Sequence, residues 1–414
     1  MCKVQTSRSA LQAVSHSYKK QAVEQTSKRS FKPRRPSLAF ATSSHPIHCQ
    51  LENSSQAFSF PEIRPINTGV SPAPEKHILV TMSTKPSKTV LITGGNGALG
   101  SHIAFEIAKT HPEVFFILTS RRDNDAQAQK ITAELRNEGV TAFEFLTLNL
   151  ASFDSVKGFA AKVAEKVRSK AIPPVAVQVN SAAYSSYEMD EKTVDGFDPV
   201  YQTNVLSPFL LTVLLLEEAF QVVDGAPRGK IIYITSETVS MGKIDFFDTW
   251  APTEQMPVGS SLPVMKGLTR YGSSKLIGDV AMYTLREKLS EGRNKGVNFF
   301  SLDPGGMNHN SNLSRGKMPT ALKLSANVLG VLGPLVRLFK KNLINHPSVP
   351  AAAVAKAAFD ASTDGSEKEV YFMLDEQIGL GHIAKAMSEH KEKVFQQVLK
   401  DTGLSITRID RLRG

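Results

Sequence analysis

The 414-residue sequence contains only two cysteines and one tryptophan. Both cysteines, Cys2 and Cys49, lie within the first 86 residues. The rest of the chain can therefore form neither a disulfide framework nor a thiolate metal site, so we predict no metal. This cysteine usage is typical of a reducing compartment.

Long apolar runs are also scarce. No continuous apolar segment follows Met1, which excludes a secretory signal. The most apolar stretch, residues 321–339, is interrupted by Lys323, Pro334 and Arg337, so we expect no transmembrane span. We interpret this stretch as a substrate lid or as a helix packed on the core. A third interpretation is a helix on the membrane surface, which would give the protein a peripheral membrane contact.

Acidic residues are few at the start of the chain. Residues 1–86 carry twelve Lys and Arg but four Asp and Glu, a charge of +8 out of +10 for the whole chain. The remainder is close to neutral and offers no broad basic face, so we expect no nucleic-acid partner. Residues 1–86 are also rich in Ser and Pro and lack apolar periodicity, which predicts a disordered basic extension.

This extension leaves the localisation open. An organelle transit peptide and a true translation start at Met82 are two further interpretations of the segment. We expect an intracellular protein, in the cytoplasm in the simplest case, with a mitochondrion or plastid as the alternative. The sequence is also compatible with a homo-oligomer.

Residues 87–414 alternate strand-like and helix-like segments. This pattern predicts a single α/β domain, a doubly wound parallel sheet of the Rossmann type with helices on both faces. The predicted strands are residues 89–92, 114–118, 142–148, 175–179, 230–234, 297–302 and 369–373. The predicted helices lie near residues 101–109, 126–137, 153–168, 199–220, 271–289, 351–361 and 383–399.

A glycine-rich turn, Thr93-Gly94-Gly95-Asn96-Gly97-Ala98-Leu99-Gly100, joins the first predicted strand to the first helix. This order is the context in which a dinucleotide is bound. A pyrophosphate must approach the backbone closely at the helix N-terminus, where free N–H groups and the dipole attract anions. Side chains at Gly94 or Gly97 would block that approach, and Gly100 lets the helix pack on the strand.

The second predicted strand ends in Thr119-Ser120-Arg121-Arg122. An NAD enzyme usually places Asp or Glu here to bond the ribose hydroxyls. A carboxylate would repel a 2′-phosphate, whereas a guanidinium can chelate it. The strand end therefore favours NADP(H) and leaves NAD(H) as the alternative.

Tyr271 and Lys275 are spaced i,i+4 on a predicted helix and therefore share a face. Free tyrosine has a pKa near ~10 and is a poor base at neutral pH. At about 4 Å and an effective dielectric of about 20, an ammonium attracts a phenolate by about 4 kcal/mol before desolvation reduces this. We expect Lys275 to lower the pKa of Tyr271, and Ser236 to hydrogen-bond the substrate oxygen.

Taken in order, these motifs resemble the short-chain dehydrogenase/reductase family, in outline its retinol dehydrogenase and protochlorophyllide reductase branch. The resemblance covers residues 88–373. It implies catalytic roles for Ser236, Tyr271 and Lys275, with Lys275 also binding the ribose. It further implies that Asn204, in Thr203-Asn204-Val205-Leu206, holds a water that relays protons from Lys275.

The resemblance also implies cofactor contacts. Asn149 occupies the place of a frequent Asp that touches adenine, and Asn180-Ser181-Ala182-Ala183 replaces the usual Asn-Asn-Ala-Gly. Pro304-Gly305 matches the pair beside the nicotinamide, whereas His309 stands where a Thr is frequent. The predicted cofactor-binding residues are Gly94, Asn96, Gly97, Leu99, Gly100, Ser120, Arg121, Asn149, Asn180, Ala182, Tyr271, Lys275, Pro304 and Gly305.

Two segments, about residues 238–268 and 307–345, are expected to shape the substrate site. The first carries Phe246, Phe247 and Trp250 close to Ser236 in sequence, which suggests a lipophilic lid. The predicted activity is therefore an NADP(H)-dependent interconversion of a carbonyl and an alcohol on a fairly large lipophilic small molecule. The alternatives are an extended epimerase or dehydratase and a non-catalytic NADP(H)-sensing scaffold.

Overall fold

The structure is a computed structural model that describes residues 85–188, 191–223, 226–249, 264–307, 345–360 and 370–414. The N-terminal extension up to residue 84 lies outside the described residues, as do residues 250–263 and 308–344 of the two predicted substrate segments. Trp250, His309 and the apolar stretch 321–339 fall in these ranges.

Nine strands of the described chain form one sheet. They are β1 (Lys88–Ile92), β2 (Val114–Ser120), β3 (Phe143–Thr147), β4 (Val175–Asn180), β5 (Gln221–Val223), β6 (Ala226–Ile234), β7 (Gly296–Asp303), β8 (Val370–Met373) and β9 (Glu376–Ile378). Their spatial order is β3-β2-β1-β4-β6-β7-β8-β9, with β5 beside β6. Only β5 and β9 of these strands pair antiparallel. The order reverses between β1 and β4, and such a switch point is where ligands bind in open α/β sheets.

Helices cover both faces of the sheet. They are α1 (Ala98–Thr110), α2 (Ala126–Asn137), α3 (Phe153–Arg168), α4 (Pro199–Glu218), α5 (Phe246–Thr249), α6 (Val264–Leu289), α7 (Ser348–Phe359), α8 (His382–Thr402) and α9 (Ile406–Arg413). A π-helical turn, Gln202–Leu206, interrupts α4. A 3₁₀ turn, Glu237–Met241, follows β6.

The sheet separates two apolar cores. Ile103 of α1, Ile131 of α2 and Val354 of α7 belong to the core on one face. The larger core on the other face contains side chains of α3, α4, α6 and α8. All eight residues of β7 are buried, because both faces of this strand are covered. The fold is a Rossmann-type doubly wound sheet, as the alternation of segments predicts.

The short elements are the ones that the sequence pattern misses. All seven predicted strands are present with shifted ends, but β5 and β9 have three residues each and escape detection. The polar helix α9 escapes for a different reason, because only Ile409 and Leu412 are buried in it. In the described part of the chain, one stretch, Pro199–Glu218, is long and apolar enough to cross a membrane, and 83% of its most apolar window is buried.

Candidate active site

The glycine turn lies at the carboxyl end of β1, at the switch point of the sheet. Gly94 has φ of +68°, a conformation that other residues rarely adopt, and a Cβ there would lie 3.1 Å from the Ala182 Cα. A Cβ on Gly100 would overlap the carbonyl oxygen of Gly94. Both glycines are therefore required by the close packing of the turn on its own helix and on the segment after β4.

The end of β2 is tied directly to this turn. The Gly94 N–H donates to the Thr119 Oγ1 at 3.0 Å. Ser120 is buried and its hydroxyl donates to the carbonyl of Arg122 at 3.0 Å, which leaves the oxygen available as an acceptor. Arg121 and Arg122 follow as exposed side chains. The two guanidiniums are thus carried on a strand end that is hydrogen-bonded to the glycine turn.

Other predicted cofactor residues gather at the same edge of the sheet. The Ala182 N–H donates to the Thr93 Oγ1 at 3.0 Å. The Asn149 Oδ1 accepts from the Ala151 N–H at 3.1 Å, so this side chain also closes its own turn. Beyond β7, the Gly305 N–H donates to the carboxylate of Asp303 at 2.8 Å.

These surroundings fit a nicotinamide dinucleotide. Among the described residues, a Cβ on Gly97 would meet the Gly94 carbonyl and no other atom within 4 Å, so the helix N-terminus is open to an anion. The buried Asn180 Nδ2 has no hydrogen-bond partner in the described part of the chain and can still donate. Leu99 is buried, Asn96 lies in the turn after β1, and Pro304-Gly305 directly follows β7.

Ser236 lies two residues after the buried end of β6 and caps the 3₁₀ turn. Its Oγ accepts from the Thr238 Oγ1 at 3.0 Å and from the Thr238 N–H at 3.3 Å. The serine hydrogen therefore remains available to a substrate oxygen. A Cβ on Gly272 would overlap the Thr238 carbonyl, so this glycine lets the turn pack directly against α6 beside Tyr271.

Lys275 is fully buried one turn after Tyr271 on α6. Its Nζ donates to the carbonyl of Ile234 at 2.7 Å and lies 5.7 Å from the centre of the Tyr271 ring. The ring of Tyr233 faces the same ammonium at 4.9 Å. Gly278 leaves room for this tyrosine, because a Cβ there would overlap the Tyr233 hydroxyl.

The protonation of this pair differs from the expectation. Burial, together with the Asp303 carboxylate, raises the pKa of Tyr271 above its usual value. Burial also lowers the pKa of Lys275 to about 8. The expected net decrease in the pKa of Tyr271 is therefore not found, because burial and the charge of Asp303 raise it.

Asn204 lies in the π-helical turn and joins three segments. Its Oδ1 accepts from the Tyr184 N–H at 2.8 Å, and its Nδ2 donates to the Tyr184 carbonyl and to the Ser274 Oγ, both at 2.9 Å. Its main-chain carbonyl accepts from the Tyr233 hydroxyl at 2.7 Å. These contacts fix α4 against α6 and the loop after β4, and the water relay through Asn204 stays a prediction.

Arg270, immediately before Tyr271, is a site residue that the sequence reading missed. It is fully buried and donates two hydrogen bonds to Asp198, from Nε at 3.0 Å and from Nη2 at 2.6 Å. Its Nη1 donates to the carbonyls of Ser186 and Glu188. The guanidinium thus fastens α6 to α4 and to the loop after β4. No local motif predicts the contact between Arg270 and Asp198, because the two residues are 72 positions apart.

The aromatic residues after Ser236 do not match the predicted lid. Phe246 exposes only 6% of its surface and belongs to packed structure. Phe247 stacks on Tyr201 with ring centres 4.9 Å apart, and it packs against the core that contains α8. The expectation that these two rings cover the substrate is wrong, because sequence proximity to Ser236 does not fix where the loop packs.

Comparisons with known proteins agree with this architecture. A family model described as short chain dehydrogenase matches residues 88–247. The short-chain dehydrogenase iccH of Talaromyces variabilis is 26% identical over 335 residues, which cover 70% of this chain and 88% of that protein. Human retinol dehydrogenase 13 is 32% identical over 166 residues, which cover 40% of this chain and 46% of that protein.

A solved structure also aligns with the chain. The NADPH-bound carbonyl reductase from chicken fatty liver has a TM-score of 0.46 and 17% sequence identity. The alignment covers 71% of this chain and 99% of that protein.

Proposed function

The chain belongs to the short-chain dehydrogenase/reductase family and is an oxidoreductase of the kind that uses nicotinamide cofactors, and from this premise we propose its finer activity. We propose that it interconverts a carbonyl and an alcohol with NADP(H), with Tyr271 as acid and base. The observation that supports this proposal is that the Lys275 ammonium lies near the Tyr271 ring and bonds the Ile234 carbonyl at the end of β6, two residues before Ser236 and at the same carboxyl edge of the sheet as the glycine turn.

In this proposal the protein orients the substrate and moves one proton. The reduced cofactor, when bound, supplies the hydride to the carbonyl carbon. The Ser236 hydroxyl donates to the carbonyl oxygen of the substrate. Its own oxygen already accepts a hydrogen bond from Thr238, so its hydrogen is the group that remains for the substrate. Tyr271 then gives its proton to that oxygen, and the Lys275 ammonium stabilises the phenolate that remains. The raised pKa of Tyr271 keeps its hydroxyl protonated before the transfer.

The preference for NADP(H) is supported by charge at the end of β2. Arg121 and Arg122 are exposed, and the strand end that carries them is bound to the glycine turn through Thr119. A guanidinium can bind the 2′-phosphate in a bidentate fashion, which a carboxylate at this point would repel. Gly94, Asn96, Gly97, Leu99 and Gly100 would hold the pyrophosphate at the start of α1.

A lipophilic small molecule remains the proposed substrate. The support is the apolar composition of residues 321–339 and the similarity to a human enzyme named for its action on retinol. The aromatic pair Phe246 and Phe247 no longer contributes to this proposal. The separate N-terminal extension, residues 1–86, and an intracellular location also stand as proposals, which a reporter fused to residues 1–81 would test.

The test is a turnover assay with purified protein. Ketones, aldehydes and alcohols of increasing apolar size are offered with NADPH, NADH and their oxidised forms. We expect cofactor-dependent turnover of at least one carbonyl, with NADPH preferred. In the Tyr271→Phe variant, kcat should fall by about 10²–10⁴-fold, the usual contribution of a general acid, while NADPH binding persists.

Tyr187→Phe is the matched control, because it removes the hydroxyl of another buried tyrosine in the neighbouring loop. It should leave kcat within about twofold of the parent value. Stoichiometric NADPH binding without turnover on any carbonyl would favour a sensing scaffold. Turnover retained within tenfold in Tyr271→Phe would show that the proton comes from another group.

A further inference from the structure

A buried carboxylate behind Lys275 has no part in the chemistry proposed above. Asp279 lies one turn after Lys275 on α6, and neither residue exposes more than 1% of its surface. Charged groups without water are costly unless hydrogen bonds or other charges compensate them. The presence of both groups in one dry region therefore indicates that each depends on its surroundings.

Two hydroxyl groups hold the carboxylate of Asp279. The Thr235 Oγ1 donates to Oδ2 at 2.5 Å, and the Ser301 Oγ donates to Oδ1 at 2.5 Å. Thr235 follows β6 and Ser301 lies in β7, so the carboxylate joins the helix to two neighbouring strands. Both carboxylate oxygens accept a hydrogen bond, which is the pattern that an ionised carboxylate prefers.

The same region holds the ammonium of Lys275. Its hydrogen bond goes to the carbonyl of Ile234, the residue before Thr235. The aromatic rings that face the ammonium, Tyr233 and Tyr271, are neutral groups as well. A carbonyl and two ring faces compensate a buried cation only in part, so a negative charge nearby is needed to keep it protonated.

We propose that Asp279 is a positioning residue that acts through Lys275: its carboxylate, which accepts hydrogen bonds from Thr235 and Ser301, keeps the buried ammonium protonated. This inference rests on the proposed function, in which that ammonium supports the proton transfer by Tyr271. It adds Asp279, Thr235 and Ser301 to the site, and none of them touches the substrate.

The directions of the pKa shifts agree with this geometry. Burial lowers the pKa of Lys275, and the charge of Asp279 opposes the decrease and leaves the value at about 8. Burial raises the pKa of Asp279 to about 7, and the hydrogen bonds from Ser301 and Thr235 oppose that increase.

Other titratable groups surround the pair on every side. Asp303, the last residue of β7, is a second carboxylate that raises the pKa of both groups. Glu237, in the 3₁₀ turn, acts on Asp303 in turn. Within the described residues, the pair also has nearby tyrosines whose pKa is raised by burial, namely Tyr233, Tyr271, Tyr283 and Tyr371. Because Asp303 stays in place when Asp279 is changed, a variant at Asp279 separates the effects of the two carboxylates on the pKa of Lys275.

The test is a direct titration of Lys275. Protein labelled with ¹³C at lysine Cε is titrated by NMR, and the Lys275 signal is assigned by its loss in Lys275→Met. In Asp279→Asn, which keeps the shape of the side chain, we expect the pKa of Lys275 to fall by at least about one unit. The exposed Asp410→Asn on α9 is the control and should leave it unchanged. In turnover assays, the loss of kcat at high pH should move to lower pH by the same amount.

A Lys275 pKa that is unchanged or higher in Asp279→Asn would overturn the proposal. If that variant does not fold, Thr235→Val decides instead: a downward shift of the Lys275 pKa supports the role of Asp279, and no shift overturns it. Thr235→Ser keeps the hydroxyl and should preserve the parent value. Because the NMR titration needs no turnover, an enzyme inactive on every carbonyl would defeat the proposed function and leave this result intact.

Discussion

Gly94 and Arg121, at the ends of β1 and β2, differ in their surroundings from Arg270 and Asp279 on α6. The first pair belongs to a region, here called the nucleotide half, that offers main-chain N–H groups and exposed guanidiniums. The second pair belongs to the catalytic half, formed by α6 and the ends of β4, β6 and β7, where the charged side chains of Arg270, Lys275 and Asp279 are fully buried.

The difference separates two ways of controlling chemistry. An exposed guanidinium keeps its charge throughout the pH range around neutrality, so it can determine cofactor affinity without affecting proton transfer. Buried groups have pKa values that depend on their neighbours, so the catalytic half sets protonation states. Substitutions in the nucleotide half should therefore change cofactor binding, and those in the catalytic half should change kcat and its pH dependence.

The largest expected effect is on the free energy of unfolding, and it tests whether Phe246 lies outside the substrate site. Phe246→Ala removes a ring that is almost fully buried, so we expect the free energy of unfolding to fall by about 3–5 kcal/mol. Urea unfolding measures this loss. The ratio of kcat/KM for a bulky and a small carbonyl should stay within about twofold of the parent ratio, since the ring packs in the interior. Val222→Ala, at an exposed side chain, is the control for the stability loss. A changed ratio with normal stability would instead indicate that Phe246 contacts the substrate.

The second effect concerns the contact between α6 and the 3₁₀ turn. Gly272→Ala introduces a Cβ that overlaps the Thr238 carbonyl and displaces Ser236. We expect kcat to fall by about 10²-fold, since small misplacements have this cost, while the Kd for NADPH stays within about threefold. Stopped-flow fluorescence and steady-state assays measure the two quantities. Gly158→Ala on α3 has open space around its Cβ and should change neither. An equal loss in cofactor binding would contradict the division into halves.

The third effect probes the nucleotide half. In the Arg121→Ala/Arg122→Ala double variant, we expect the KM for NADPH to rise by about tenfold or more, because two charge-assisted contacts with the 2′-phosphate are lost. The KM for NADH and the kcat for both cofactors should change little. Arg136→Ala, an exposed arginine at the end of α2, is the control. Equal use of NADH and NADPH by the parent enzyme would refute the preference.

The smallest effect is a pH dependence of stability. The pKa of Asp279 is about 7 in the folded protein and near ~3.9 when unfolded, so the folded state binds the proton more tightly. Its contribution to stability therefore decreases as pH rises from about 4 to 7. Relative to the parent, Asp279→Asn should therefore gain stability across this range, since the amide does not titrate. Thermal unfolding at pH 5 and pH 7 measures the difference, and a parallel pH dependence of the two proteins would speak against it.

The sequence predicts the fold and locates the glycine turn and the end of β2 because these depend on local patterns, while the cofactor contacts there stay predictions. Apolar runs identify the long strands, and the glycine turn from Thr93 to Gly100 is contiguous in the chain. The catalytic trio Ser236, Tyr271 and Lys275 is also found from short motifs, although its roles remain proposals. Three-residue strands such as β5 lie below the length at which a pattern is visible.

The buried polar network could not be predicted in this way. The partner of Arg270 is 72 positions away, and that of Thr235 is 44 positions away. The direction of the Tyr271 pKa shift depends on how completely water is excluded, which spacing on a helix does not reveal. For the same reason, the position of Phe247 against Tyr201 follows from packing rather than from its distance along the chain.

The fit between Tyr233 and Gly278 restricts how this protein can vary. Because any side chain at position 278 would collide with the Tyr233 hydroxyl, the two positions can change only as a pair. A single substitution at either one would pass through an intermediate with a clash or a cavity. A double change to a smaller residue at position 233 and alanine at position 278 should be better tolerated than either change alone. Covariation between these two positions across related sequences would therefore report on how Lys275 is supported.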